Sequence, residues 1–71
     1  MAKNYSTFPV KKGEFLEDTS GIYRYTGRKR NDNLYYVREY RISQNGNVYP
    51  VKGNRGLHSW TKEEIRDAKI K

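Results

Sequence analysis

The sequence predicts a small, mostly β domain (α+β), an antiparallel sheet of three to five strands with one C-terminal helix. Two observations carry this prediction. An Asn-Gly pair separates two β-rich runs, LYYVREYRIS and VYPVK, which is the strongest short-range signal of a hairpin. The end of the chain, TKEEIRDAK, opens with the pattern of a helix N-terminus. With 71 residues the chain is predicted to form a single domain, 1–71, in which residues 1–7 are expected to be loosely held.

The first half of the chain predicts short strands joined by turns. In FPVKKGEFL, Lys12 and Gly13 separate two apolar groups, which predicts a turn between brief extended segments. The following EDTSG predicts a second turn. Residues 22–26, IYRYT, alternate β-branched, aromatic and basic side chains and therefore predict a strand. Residues 27–33, GRKRNDN, contain no apolar residue and predict a loop.

The Asn-Gly pair also predicts a register for the hairpin. If residues 45–46 occupy the two loop positions, Ile42 lies opposite Tyr49 and Tyr40 lies opposite Val51. All four side chains then share one side of the ribbon, which we expect to be the buried side.

Two features of the hairpin do not fit this register. Tyr35 and Val37 fall on the charged side, which favours either a bulge near Arg38 or a second packing surface. Pro50 has no N–H to donate, so its amide position must face a sheet edge or a gap.

The C-terminal helix is predicted by its start signals. Thr61 and Glu64 form the capping-box pattern, and Trp60 and Ile65 stand at the two positions of a hydrophobic staple. A helix of about ten residues is marginal alone, so it must pack against the sheet. Its apolar stripe, Trp60, Ile65 and Ala68, is expected to contact Tyr40, Ile42, Tyr49 and Val51.

Positive charge is concentrated in residues 21–60. The chain carries fifteen Lys and Arg residues against eight acids, a net charge of +7. Eight of those cations, but only two of the acids, lie in residues 21–60, interleaved with six of the seven tyrosines. Arg and Lys neutralise phosphates, and Tyr stacks on bases or donates to a phosphate oxygen. The pattern therefore favours a nucleic-acid partner, although a solvated basic surface over a tyrosine core has the same composition.

The residue inventory argues against catalysis. His58 is the single histidine and cysteine is absent, which leaves no nucleophile–base pair and no zinc pattern. Glu14, Glu17 and Asp18 fit a solvated turn better than a metal site. We predict a non-enzymatic protein without cofactor or metal. No apolar run exceeds four residues, so no membrane segment is predicted and a cytoplasmic location is expected.

The basic residues themselves are the candidate site. Strand positions are expected to project cations from a sheet face, and the loop 27–33 and a second loop are expected to hold phosphates on either side. The candidate nucleic-acid-binding residues are Arg24, Arg28, Lys29, Arg30, Arg38, Arg41, Lys52 and Arg55.

Residues from about 22 to 70 resemble a known module, through the runs YYVREYRISQNGNVYPVK and GLHSWTKEEIRDAK. They are similar to the AP2-like, arm-type DNA-binding domains at the N-termini of phage and transposon tyrosine integrases. The resemblance implies three antiparallel strands packed on a C-terminal helix, with the sheet in the major groove of DNA. It also implies a phage or mobile-element origin, and DNA contacts from Arg24, Arg38, Arg41 and Lys52.

Two alternatives remain open. An SH3-like barrel would use VKKGEF and GIYRYTG as its first strands around a tyrosine-rich core. In function, the alternative to a nucleic-acid-binding protein is a phage- or mobile-element-encoded interaction module that binds and modulates an acidic host protein. A basic, aromatic surface suits either partner.

Overall fold

The computed structural model describes residues 8–69, so the expectation for residues 1–7 lies outside the described part. Its fold is a mostly β, antiparallel sheet followed by one C-terminal helix, which confirms the predicted fold class. A short 3-10 turn, Asn54–Gly56, precedes the last strand. The strands and the helix are β1 Phe15–Asp18, β2 Gly21–Lys29, β3 Tyr35–Ile42, β4 Val48–Pro50, β5 Leu57–Trp60 and α1 Lys62–Ala68.

β3 is the central strand of the sheet. β1, β2 and β3 are consecutive antiparallel neighbours. The free side of β3 is shared: its first half pairs with β5 and its last residues pair with β4. Within residues 8–69 the outer strands do not pair with each other, so the sheet stays open and the barrel alternative is not formed there.

β2 continues further than the sequence predicts. The predicted strand 22–26 is present, but β2 extends to Lys29, so the predicted loop was wrong for residues 27–29. Tyr25 pairs with Val37 and Lys29 with Tyr35, which leaves extra residues on β2 as a bulge.

A glycine and a threonine hydroxyl hold this bulge. Gly27 has φ 85°, which glycine adopts without strain. The hydroxyl of Thr26 donates to the carbonyl oxygen of Tyr36 at 2.9 Å and accepts from the N–H of Arg28 at 3.2 Å. The strand can therefore absorb the extra residues and resume pairing.

The Asn-Gly turn forms, but the predicted register is wrong by one residue. The N–H of Ser43 donates to the carbonyl of Asn47 at 2.8 Å, and the N–H of Gly46 donates to the carbonyl of Ser43 at 2.9 Å. The loop thus has three residues, with Gly46 at φ 86°, which is the common three-residue hairpin geometry. Ile42 consequently lies opposite Val48 instead of Tyr49.

Burial shows which side of β3 faces the core. Val37 is fully buried and Tyr35 packs against the core, so theirs is the core side. Of the two predicted alternatives, the bulge near Arg38 is absent because β3 is continuous there, and Tyr35 and Val37 instead lie on a packing surface. Pro50 lies in edge strand β4 opposite Tyr40, where the missing N–H is tolerated, as predicted.

The core lies between the sheet and α1. It extends to Phe8, Tyr35 and Trp60, which are partly buried against it. The predicted contact of the helix with Tyr40, Ile42, Tyr49 and Val51 is wrong, since none of these joins the core and Ile42 is 57% exposed. Strand β1 takes their place beside the helix. The buried residues are Val10, Leu16, Tyr23, Tyr25, Val37, Ile65 and Ala68.

The start of α1 confirms the predicted cap. Thr61 is the N-cap: its hydroxyl accepts from the N–H of Glu64 at 3.2 Å, and its N–H donates to the carboxylate of Glu64 at 2.8 Å. Trp60 packs on the cluster that contains Ile65. In the described part of the chain, no helix is long and apolar enough to cross a membrane.

Candidate functional site

The side of the sheet opposite α1 is here called the open face. Directly paired residues share a side of a sheet, so the register assigns its members. The central strands contribute two cations, two tyrosines, two isoleucines and one threonine to it, and no acid. These residues are Ile22, Arg24 and Thr26 from β2, and Tyr36, Arg38, Tyr40 and Ile42 from β3.

Arg24 lies at the centre of the open face among aromatic rings. Its guanidinium carbon is 5.0 Å from the centre of the Phe15 ring, a cation–π distance. The Phe15 and Tyr40 rings meet edge to face with centroids 5.2 Å apart. Nη1 of Arg24 donates to the Tyr40 hydroxyl at 3.3 Å, and Nε donates to the carbonyl of Gly13 at 2.8 Å. The exposed Arg24 side chain is thus held in one orientation on the sheet.

Lys12 borders the same region, although sequence reasoning did not select it. Its aliphatic stem lies over Gly27, where a Cβ would meet the Lys12 Cγ at 2.9 Å. A shallow hollow on the open face is lined by residues that include Lys12, Arg24, Arg38 and Tyr40. The sequence predicted a turn at Lys12, but it did not predict that the Lys12 side chain would pack across β2.

Arg38 also belongs to the open face, yet its side chain is engaged within the fold. Nη1 donates to the carbonyl oxygens of Val51 and Gly53, each at 2.8 Å. The guanidinium therefore fastens the segment after β4 to the central strand, and Arg38 is in part a structural residue.

The basic run 28–30 lies at the end of β2 and the start of the following turn, and all three side chains are exposed. Lys29 pairs with Tyr35, which packs against the core, so Lys29 lies on the other side of the sheet from Arg24, with its Nζ 6.0 Å from the Tyr35 ring centre. Nη1 of Arg30 donates to the Ser59 hydroxyl at 3.4 Å, and Ser59 pairs with Tyr36 on the open face. Arg30 thereby extends the positive charge of the open face toward β5.

Arg41 lies on the other side of the sheet, so the predicted grouping of Arg41 with Arg24 and Arg38 was wrong. Its Nε is 3.2 Å from Oε2 of Glu39, and Oε1 of Glu39 is 3.2 Å from Nε2 of His58. The hydrogen bond with His58 is the main cause that holds the pKa of Glu39 below its usual value. Partial burial opposes this shift, and Arg41 adds to it.

The last two candidate residues, Lys52 and Arg55, lie near Arg41. Lys52 and Arg55 line an open groove together with Arg41, Tyr49, Pro50 and Val51. The structure therefore divides the eight predicted cations into three groups. Arg24 and Arg38 lie on the open face, Arg28, Lys29 and Arg30 lie at the end of β2 or just after it, and Arg41, Lys52 and Arg55 lie around this groove.

Comparison with known proteins gives no relative. No family model matches the chain, and searches of curated proteins and of solved structures found no significant match.

Proposed function

We propose that this chain is a small, non-enzymatic nucleic-acid-binding protein that contacts its ligand with the open face and the adjoining run 28–30. The observation that supports the proposal most is the composition of that face, with cations and aromatic rings side by side and no acid on its central strands. Exposed cations bind phosphates, and tyrosine rings contact bases or sugars.

DNA is the favoured ligand in this proposal. The resemblance to arm-type integrase domains supports it, because those domains apply a sheet to the major groove and carry the helix behind the sheet. The open face of this chain is likewise the side away from α1. The resemblance implies a phage or mobile-element origin, and the proposed function implies a cytoplasmic location, where DNA is accessible.

The test is a salt titration of binding to duplex DNA. Each neutralised phosphate contributes about −0.9 to the slope of log affinity against log salt, so about five contacts give a slope of about −4 to −5. Replacing Arg28, Lys29 and Arg30 together by alanine should flatten the slope by about 2–3. The three side chains are exposed, so the variant should remain folded.

A matched control removes the same charge elsewhere. Lys62, Arg66 and Lys69 are exposed on or just after α1, and their replacement by alanine should change the slope far less. Titrations of single-stranded DNA and RNA in the same buffers rank the ligands. If the unaltered protein has no measurable affinity for any nucleic acid at low salt, the proposal is wrong.

The second candidate function is binding to an acidic host protein. Three large apolar side chains support it, because Ile42, Val48 and Tyr49 remain 45% to 57% exposed around the hairpin beside the basic residues. A protein interface commonly combines such apolar contacts with a charged rim. Absence of nucleic-acid binding in the titration would favour this function.

A further inference from the structure

The groove that contains Arg41, Lys52 and Arg55 is a second cationic surface, separate from the open face. Arg41 follows Tyr40 in β3, and successive side chains of a strand point to opposite sides of the sheet. Of the three strand residues that line the groove, Arg41 and Tyr49 pair with each other on the side away from Arg24, whereas Pro50 pairs with Tyr40 of the open face. The groove therefore lies at the β4 edge of the sheet, and its Arg41 side chain is on the side opposite Arg24.

Helix α1 leaves this groove uncovered. The helix packs beside β1, and its buried residues Ile65 and Ala68 belong to the core. The groove lies at β4, the opposite edge of the sheet, where Tyr49 is 45% exposed. The helix thus covers the β1 part of the sheet and leaves the basic groove at the β4 edge accessible.

The charge of the groove is largely uncompensated. Among residues 8–69, no ion pair joins Lys52 or Arg55 to an acid. Arg41 contacts Glu39, but that carboxylate is shared with His58 and the Arg41 side chain is 62% exposed. Three cations around one open concavity attract a polyanion more strongly than isolated surface charges do.

We propose that the groove binds the phosphate backbone of a second nucleic-acid segment, so that one copy of the protein bridges two segments. This inference depends on the proposed function, because the open face must hold the first segment. The protein then acts as a connector, with Arg24 and its neighbours on one segment and Arg41, Lys52 and Arg55 on the other.

The experiment mixes short duplexes labelled with a donor dye and identical duplexes labelled with an acceptor, and measures energy transfer as protein is added. Bridging predicts that transfer rises at low protein and falls again at excess, when each duplex is saturated separately. The Arg41→Ala/Lys52→Ala/Arg55→Ala variant should lose the transfer while still shifting a single duplex in a gel. A second variant, Lys52→Glu/Arg55→Glu, leaves the Arg41–Glu39 contact intact and should also lose it.

The controls separate this inference from its premise. The Lys62→Ala/Arg66→Ala/Lys69→Ala variant should keep the transfer, and sedimentation should show a monomer, because a dimer could bridge through its open faces alone. Binding to a duplex without energy transfer would overturn bridging and leave the proposed function standing. Transfer that persists in both groove variants would also overturn it. No duplex binding at all would contradict both bridging and the proposed function.

Discussion

Arg38 shows how a cation on a candidate binding face can belong to the fold. Its Nη1 donates to two carbonyl oxygens of the segment that follows β4, at Val51 and Gly53. A hydrogen bond from a charged donor contributes more than a neutral one, and its loss leaves the acceptors to water or unpaired. The charge count of the sequence treats Arg38 and the exposed Arg28 as equal, but their surroundings differ.

We therefore expect Arg38→Ala to destabilise the protein by about 1–2 kcal/mol, since water replaces the lost donor only in part. Chemical denaturation of the variant and the parent measures this difference. Arg28→Ala, at an exposed position of β2, should stay within about 0.5 kcal/mol of the parent. If Arg38→Ala unfolds like the parent but binds nucleic acid more weakly, Arg38 serves the interface and not the fold.

The stability of the fold depends on pH through the ionisation of Glu39. Its folded-state pKa lies below the ordinary value of 4.5, mainly because of the hydrogen bond with His58. A lowered acid pKa stabilises the folded state above pH 4.5, and this contribution is lost as the pH falls through the lower folded-state value. The loss should be visible as an acid-side decrease in the free energy of unfolding.

The variant Glu39→Gln should reduce that decrease. Denaturation curves at neutral pH and at about pH 3 provide the comparison, and the parent should lose more stability between them than Glu39→Gln does. His58→Phe keeps an aromatic ring beside Tyr23 but removes the hydrogen bond, so it should act in the same direction. An unchanged acid-side loss in Glu39→Gln would show that this carboxylate is not responsible.

Helix α1 is the element that local sequence specifies best. Seven residues are too few for a stable isolated helix, so the reciprocal bonds between Thr61 and Glu64 and the packing of Ile65 must maintain it. Both signals lie within a few residues of each other, which is why the start of the helix was predictable from sequence.

Removal of the cap should have a moderate cost. Thr61→Ala deletes the hydroxyl that accepts from the N–H of Glu64 and should destabilise the protein by about 1 kcal/mol. Thr61→Ser keeps a hydroxyl and should remain close to the parent. Thermal melts followed by circular dichroism compare the three proteins. Equal losses in both variants would mean that the methyl group of Thr61, and not the cap, matters.

The strands were less predictable than the helix. The Asn-Gly signal located the turn, but the loop contains one residue more than the two-residue form, and that difference moves every pair of the hairpin. The run 27–33 contains no apolar residue and predicted a loop, whereas the bulge at Gly27 lets β2 continue to Lys29. Loop length and bulges depend on hydrogen bonds to a partner strand, and neighbouring residues in the sequence do not reveal those bonds.

For the whole molecule, the decisive fact is which side of the sheet the helix covers. Both sides of β3 carry aromatic or aliphatic residues, Tyr35 and Val37 on one and Tyr36 and Tyr40 on the other. The alternation of side chains along β3 therefore does not indicate which of its two sides is buried. Leu16 in β1, fully buried beside Ile65 and Val37, shows that the core forms on the first of these sides.

The side on which the core forms also decides which of the candidate cations lie together. Arg24 and Arg38 come together on the open face, where Lys12 and Phe15 join them, while Arg41 is separated from them on the other side. From sequence, the cations and their chemistry could be selected. Their division into two surfaces could not, because Phe15 and Lys12 reach the face only through the pairing of β1 and the turn before it.

The amino-acid sequence alone specified the fold class, the position of the hairpin turn, the helix start at Thr61 and the segment that carries the positive charge. Each of these depends on residues that are neighbours in the chain or on composition. The register of the hairpin, the side on which the core forms and the separation of Arg41 from Arg24 were decided by tertiary structure. They depend on contacts between distant segments, chiefly the packing of α1 beside β1, because burying one side of a sheet fixes the exposure of the other.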